Sequence, residues 1–156
     1  MKIEKEELNS IIPHRGKMLL LSRVNDYNLK DGSVCAEYDI TENCLFYDPT
    51  LGGVPAWAAF EFLAQAISAY SGIRDKGKYL RPRFGFILSI PFIKIDIPVF
   101  KAGSTVEIHA KENDRVGLVY TFEGKVFLDG RKVLEGKIMV MEIDEKGVDD
   151  LNKGQS

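Results

Sequence analysis

Val54-Pro55-Ala56-Trp57-Ala58-Ala59-Phe60-Glu61-Phe62-Leu63-Ala64-Gln65-Ala66-Ile67-Ser68-Ala69-Tyr70 is the stretch whose reading decides the fold. Its one ionisable carboxylate is Glu61, and everything else in it is apolar or small and polar. Pro55 suits the first turn of a helix, where its missing N–H costs nothing, and Gly52-Gly53 before it gives a flexible entry. Ser71-Gly72 supplies a stop, so the pattern predicts a helix over Val54 to Tyr70. A surface helix would show a charged face; this one is apolar on nearly all sides and belongs in a core. With Glu61, Gln65, Ser68 and Ser71 in or beside it, and a length under about 20 residues, it makes a poor membrane span.

A buried helix needs a wrapping, and the chain downstream supplies one. Phe84 to Phe100, Thr105 to Glu112, Leu118 to Leu128 and Lys132 to Ile143 carry strand signals. Asn113-Asp114 with Gly117 separates one pair, and Asp129-Gly130, a strong two-residue turn signal, separates the next. Ile93, Ile95 and Ile97 alternate with Lys94 and Asp96, the period of a sheet with one wet face. Upstream, Met18 to Asn25 and Ser33 to Ile40 read as two strands joined around Asp31-Gly32. Two strands, one long helix and about four antiparallel strands predict an α+β domain, a curved antiparallel sheet around one central helix.

The 156 residues suit a single domain over 1–156, with the polar, Gly-containing segment 144–156 as a flexible tail. Twenty-one Lys and Arg against 23 Asp and Glu leave a net charge of -2, so no global positive field exists to hold a phosphate backbone, and nucleic acid is excluded as a partner. Cys35 and Cys44 form no Cys-x-x-Cys pair and sit near no run of histidines, so a disulfide framework and a structural zinc site both lack their usual spacing. A Glu- and Lys-rich N-terminus with only the short apolar run Met18 to Leu21 argues against a signal peptide. The expected setting is the cytoplasm, with reduced thiols and no metal.

Glu61 is where chemistry enters. An ionised carboxylate in an apolar helix costs several kcal/mol unless paired or hydrogen-bonded, and the usual escape is a raised pKa. Gln65, one turn on, is placed to hydrogen-bond it, and Ala58 and Ser68 complete a narrow small-or-polar stripe fit to line a pocket. A carboxyl tuned towards neutrality suits general acid-base work. The alternative is a structural carboxylate that ties a loop to the helix.

Two motifs here resemble the hotdog-fold 3-hydroxyacyl-acyl carrier protein dehydratases. Ile12-Pro13-His14-Arg15-Gly16-Lys17-Met18-Leu19-Leu20-Leu21-Ser22-Arg23-Val24 looks like that family's Pro-His-Arg opening and first strand. Pro55-Ala56, then Glu61, Ala64, Gln65 and Ala66, is similar to its Pro-Gly and Glu-x-x-Ala-Gln-Ala helix. Within the clan, Ile-Pro-His-x-Gly-x-Met is spelled as in the dehydratase-like proteins associated with aryl polyene synthesis. The resemblance implies a hotdog fold, and a homodimer or a heterodimer with a related hotdog subunit whose sheets join, with acyl tunnels between subunits. It implies loss of water from a 3-hydroxyacyl chain carried on phosphopantetheine, with no further cofactor and an acyl carrier protein as partner. By the same resemblance, Glu61 is the acid, Gln65 its helper, and the N–H of Ala56, after Pro55, polarises the thioester oxygen. Phe86, on the strand after the helix, falls among the residues that line the acyl chain.

One departure matters. The family's catalytic His precedes the helix in a Gly-His-Phe-Pro segment, where this chain has Leu45-Phe46-Tyr47-Asp48-Pro49-Thr50. Counting back from Glu61 lands on Tyr47 or its neighbour; Tyr is a poor base at neutral pH, which leaves Asp48 as the alternative there. His109 shares a strand face with Glu107 and Lys111 and reads as a solvated surface histidine. His14, whose loop lies beside the tunnel in the resembled family, is either the replacement base, in a rearranged dyad with Glu61, or a plain loop histidine. Arg74 to Arg83 holds five basic residues and one acidic, and Lys76, Lys78, Arg81 and Arg83 are either a docking rim for an acidic carrier protein or a solvated loop. Loss of the family His keeps two other functions open: a hotdog thioesterase, in which Glu61 and Gln65 position a water, and a non-catalytic subunit that completes a dehydratase heterodimer.

Overall fold

The computed structural model of the chain describes residues 2–78 and 84–143. The expected flexible tail, 144–156, and two of the expected docking residues, Arg81 and Arg83, lie outside them.

A short strand β1 (Ile3–Glu4) and one helical turn α1 (Lys5–Leu8) precede a loop that ends in the 3₁₀ turn Gly16–Met18. The hairpin β2 (Arg23–Asn28) and β3 (Ser33–Asp39) follows, turning where Asp31-Gly32 predicted. Met18 to Ser22 was expected in the ladder too. It runs ahead of β2 instead, because Leu19, Leu20 and Leu21 are all buried and do not alternate.

After β4 (Gly53–Pro55) and a 3₁₀ turn over Ala56–Ala58 comes the long helix α2 (Ala59–Arg74). It thus starts later than predicted and runs past Ser71-Gly72. Gly72 is not a stop but a point of close approach: a Cβ there would lie 2.0 Å from the Ile11 carbonyl oxygen. The expected single strand from Phe84 to Phe100 divides at Pro98 into β5 (Phe84–Ile95) and β6 (Val99–Lys101), and β6 pairs with β4 in a small second sheet. Then come β7 (Thr105–Val116), β8 (Val119–Leu128) and β9 (Arg131–Ile143). The β7–β8 turn sits at Gly117-Leu118, later than Asn113-Asp114 suggested, because the ladder absorbs that pair in a bulge between Glu112 and Asp114. Asp129-Gly130 turns as predicted, with φ of 52° and 76°.

All pairings are antiparallel, in the order β1-β2-β3-β7-β8-β9-β5. The sheet's inner residues, among them Val34, Ala36, Tyr38, Val106, Ile108, Phe122 and Ile138, close over α2, whose Phe62, Leu63, Ala66 and Tyr70 are buried. Phe62 stands edge-on to Tyr38, with ring centres 5.0 Å apart, and 5.7 Å from Phe100. Burial of one such ring contributes about 2–3 kcal/mol. The expected hotdog arrangement is therefore present. At β5 the expected wet-and-dry alternation fails: Phe86, Leu88, Phe92, Ile93 and Ile95 are all exposed on this last strand of the sheet.

Candidate active site

Two contacts bring the N-terminal loop onto α2, and a third braces the loop itself. Gly72 admits the backbone of Ile11, the Arg15 guanidinium folds back onto the carbonyls of Ile12 and His14 at 2.6 and 2.7 Å, and Gln65 fastens the next turn. The buried Gln65 amide accepts from Leu20 N–H at 2.8 Å and donates to the Met18 carbonyl at 2.6 Å. Its Nε2 also reaches Glu61 Oε1, at 3.3 Å. The predicted Glu61–Gln65 contact forms, while most of the amide's bonding capacity goes to the loop.

This anchoring carries His14 over Glu61. His14 Nε2 lies 3.6 Å from Glu61 Oε1, with the two side chains 26% and 27% exposed. That is longer than a hydrogen bond and short enough for one substrate or water atom to bridge. The quarter exposure of Glu61 corrects the expectation of a fully buried carboxylate, because its helix face turns to a cavity instead of the packed core. Burial pulls the His14 pKa below its ordinary 6.5; Glu61 opposes the shift and Arg15 adds to it. His14 Nδ1 is buried and unpartnered. Burial thus favours the neutral imidazole, the form that can take a proton.

A cavity of about 340 Å³ opens beside the pair, between α2, the N-terminal loop, β5 and β9. His14, Glu61, Ser68, Ser71, Phe86 and Glu142 line it. Of the expected stripe, Glu61 and Ser68 face it; Ala58 is fully buried and Gln65 turns to the loop. Glu142 was not anticipated. It is 3% exposed, accepts a hydrogen bond from Ser71 Oγ and pairs with Arg74 at 3.2 Å. Its signal was present in β9, where Leu134, Gly136, Ile138, Val140 and Glu142 occupy alternate, buried positions: a carboxylate at an inward position needs such partners. Arg74 stacks 4.8 Å from the Tyr120 ring and bonds Asp75, so it does not belong with the exposed basic residues.

The remaining expected residues divide. Phe86 lines the cavity and is 44% exposed, and Lys76 stands on its rim with Lys78 exposed nearby. Pro55, Ala56, Tyr47 and Asp48 are not among its lining residues. The Ala56 N–H, expected to meet a thioester oxygen, donates to the Pro98 carbonyl at 2.9 Å, where β4 meets β6. The Asp48 carboxylate accepts from the Thr50 hydroxyl and N–H at 2.6 and 2.9 Å, and these bonds hold its pKa below the usual carboxylate range. Such an anion is a weak base, which removes the case for Asp48. His109 faces outward as alternation required, but it is engaged by Glu107 and Phe127.

A sheet wrapped on one helix, with a carboxylate and an imidazole meeting at a cavity beside that helix, defines a hotdog-fold protein of the dehydratase and thioesterase kind. The chain belongs to the ApeP-like family: the family model, described as ApeP dehydratase, matches residues 6–151. It is similar to the 3-hydroxyacyl-acyl-carrier-protein dehydratase FabZ of Campylobacter fetus subsp. fetus, 29% identical over 150 residues, 92% of this chain and 99% of that one. The FabZ of Nitratiruptor sp. is 26% identical over 145 residues, 89% and 97% of the two chains. Among solved structures, a chain of the dehydratase heterocomplex ApeI:P from Xenorhabdus doucetiae superposes with a TM-score of 0.82 at 23% identity, over 92% of this chain and 95% of that one. A hypothetical thioesterase with coenzyme A from Streptococcus pneumoniae shares the fold at a TM-score of 0.58 and 12% identity, over 78% and 84% of the chains. The resemblance drawn from the two motifs is borne out at the level of family and fold. Among the described residues, no helix is long and apolar enough to cross a membrane.

Proposed function

We propose that the chain is a (3R)-3-hydroxyacyl-acyl carrier protein dehydratase-like enzyme with a His14–Glu61 dyad. His14 Nε2 takes the proton next to the thioester carbonyl, and Glu61 serves as the acid that gives a proton to the departing hydroxyl. A double bond forms between the two carbons and water leaves; His14 then returns its proton to Glu61. The observation that carries this reading is the 3.6 Å approach of the His14 imidazole, whose pKa burial lowers, to the Glu61 side chain at the edge of a cavity. Both groups come from one chain, whereas the resembled family takes its acid from the other subunit. Gln65 is the positioning residue, since its amide ties the loop that bears His14 to the helix that bears Glu61. The acyl chain lies along Phe86 and α2, carried on phosphopantetheine, and the reaction uses no other cofactor.

A second reading has its own support. The pre-helix segment has Tyr47 and a hydrogen-bonded Asp48 where the family has its His, and the Ala56 N–H is already taken. β5 meanwhile exposes an apolar edge. Both fit a subunit that completes a heterodimer with a related hotdog protein in the cytoplasm. One assay separates the possibilities. The purified chain is given a 3-hydroxyacyl and a saturated acyl thioester of a carrier protein. Water loss that disappears in His14→Ala and in Glu61→Gln supports the dyad. Release of free thiol instead identifies a thioesterase, and neither product leaves the partner-subunit role.

A further inference from the structure

The spacing of Cys35 and His109 along the chain carries no metal signature, but the register of the sheet places them opposite each other. In the β3–β7 pairing Cys35 faces His109, and Glu107 lies two residues along β7 on the same outer face, turned away from α2. Cys35 Sγ is 3.6 Å from His109 Nε2 and 3.8 Å from Glu107 Oε1, and Nε2 and Oε1 are 2.5 Å apart. We propose that Cys35, Glu107 and His109 form a site for one zinc-class divalent cation on the outer face of the sheet, away from the cavity.

The geometry decides between a chance polar cluster and a ligand set. Zinc at about 2.3 Å from sulfur and about 2.0–2.2 Å from nitrogen and oxygen in a tetrahedral shell separates its ligand atoms by roughly 3.4–3.6 Å. The two edges that involve Cys35 are already near that length. The third is short because His109 and Glu107 now share a hydrogen bond, and a side-chain rotation of the half-exposed Glu107 opens it. The anchors are rigid: Cys35 and His109 are held by ladder positions, and the His109 ring packs edge-on to Phe127, 4.9 Å between centres. Asp26 stands opposite Cys35 on β2, and Lys125 opposite His109 on β8. Thiolate, imidazole and carboxylate together suit zinc or cobalt far better than magnesium or calcium. Binding forms the metal–sulfur bond as the thiol proton leaves to solvent, the His109–Glu107 hydrogen bond is given up, and water fills the fourth position.

The test uses the untagged full-length chain, stripped with EDTA and titrated with Co²⁺. The expected result is one Co²⁺ per chain with a thiolate-to-cobalt charge-transfer band that Zn²⁺ abolishes by displacement. Cys35→Ser removes the band, His109→Gln and Glu107→Gln each weaken binding about tenfold or more, and Cys44→Ser leaves binding unchanged. Circular dichroism of each variant checks the fold, and should Cys35→Ser fail to fold, His109→Gln with Cys35 in place is read alone. Absence of a stoichiometric band overturns the site. So does a band that survives Cys35→Ser, an affinity left unchanged by His109→Gln, or a band that is lost with Cys44→Ser.

Discussion

His14 works as a base only while it is neutral, and the fold favours that state. Its folded pKa lies below the 6.5 of the unfolded chain, so between these two values the unfolded state binds more protons. The stabilisation linked to neutral His14 is therefore complete above about 6.5 and is lost as pH falls from there to the folded pKa. We expect His14→Ala to flatten that part of the acid limb in urea titrations run at a series of pH values. It should also lower turnover on a 3-hydroxyacyl thioester by about 10²–10⁴-fold, the usual worth of a general base. An unchanged rate would remove His14 from the chemistry. Gln65→Leu tests the positioning role. It leaves the buried Leu20 N–H and the partly buried Met18 carbonyl without the amide, so stability should fall by about 1–3 kcal/mol in denaturant unfolding.

At the scale of the element, α2 is decided by what it touches more than by propensity. Alanine is the better helix former by about 1 kcal/mol, so Gly72→Ala would stabilise an isolated helix. Here the added methyl meets the Ile11 carbonyl oxygen at 2.0 Å, and backbone has to move. Overpacking of this kind costs about 1–3 kcal/mol or more, enough to reverse the sign. The melting temperature of Gly72→Ala should fall, and the His14 loop should lose activity with it, since Ile11 leads into that loop. A rise in melting temperature would show that the loop yields freely.

For the whole molecule, an exposed apolar edge strand is a liability unless something covers it. Leu88→Lys with Phe92→Lys should abolish self-association, or association with a related hotdog subunit, in sedimentation or gel filtration. A mass unchanged from the parent would place the contact elsewhere. Lys76→Glu with Lys78→Glu should weaken binding of an acidic carrier protein. The difference from the parent should shrink as salt rises, because exposed charges more than a Debye length of about 8–10 Å apart are screened. Affinity that ignores both charge reversal and salt would end the docking proposal.

The buried helix, its one carboxylate, the order of the strands and the family were legible in the sequence. Local periodicity and turn chemistry encode which face of an element is apolar and where it ends to within a few residues. The meeting of His14 with Glu61 was legible as one of two readings, because the loop motif and the helix motif were each visible while their approach was not. Tertiary structure alone decided that Gln65 spends its amide on Leu20 and Met18, and that the Ala56 N–H is taken by Pro98. It also seated Glu142 in the cavity wall and put Cys35 beside His109. These outcomes depend on sheet register and on how closely two backbones pack. Both are set by contacts between residues far apart in the chain, which no local pattern records.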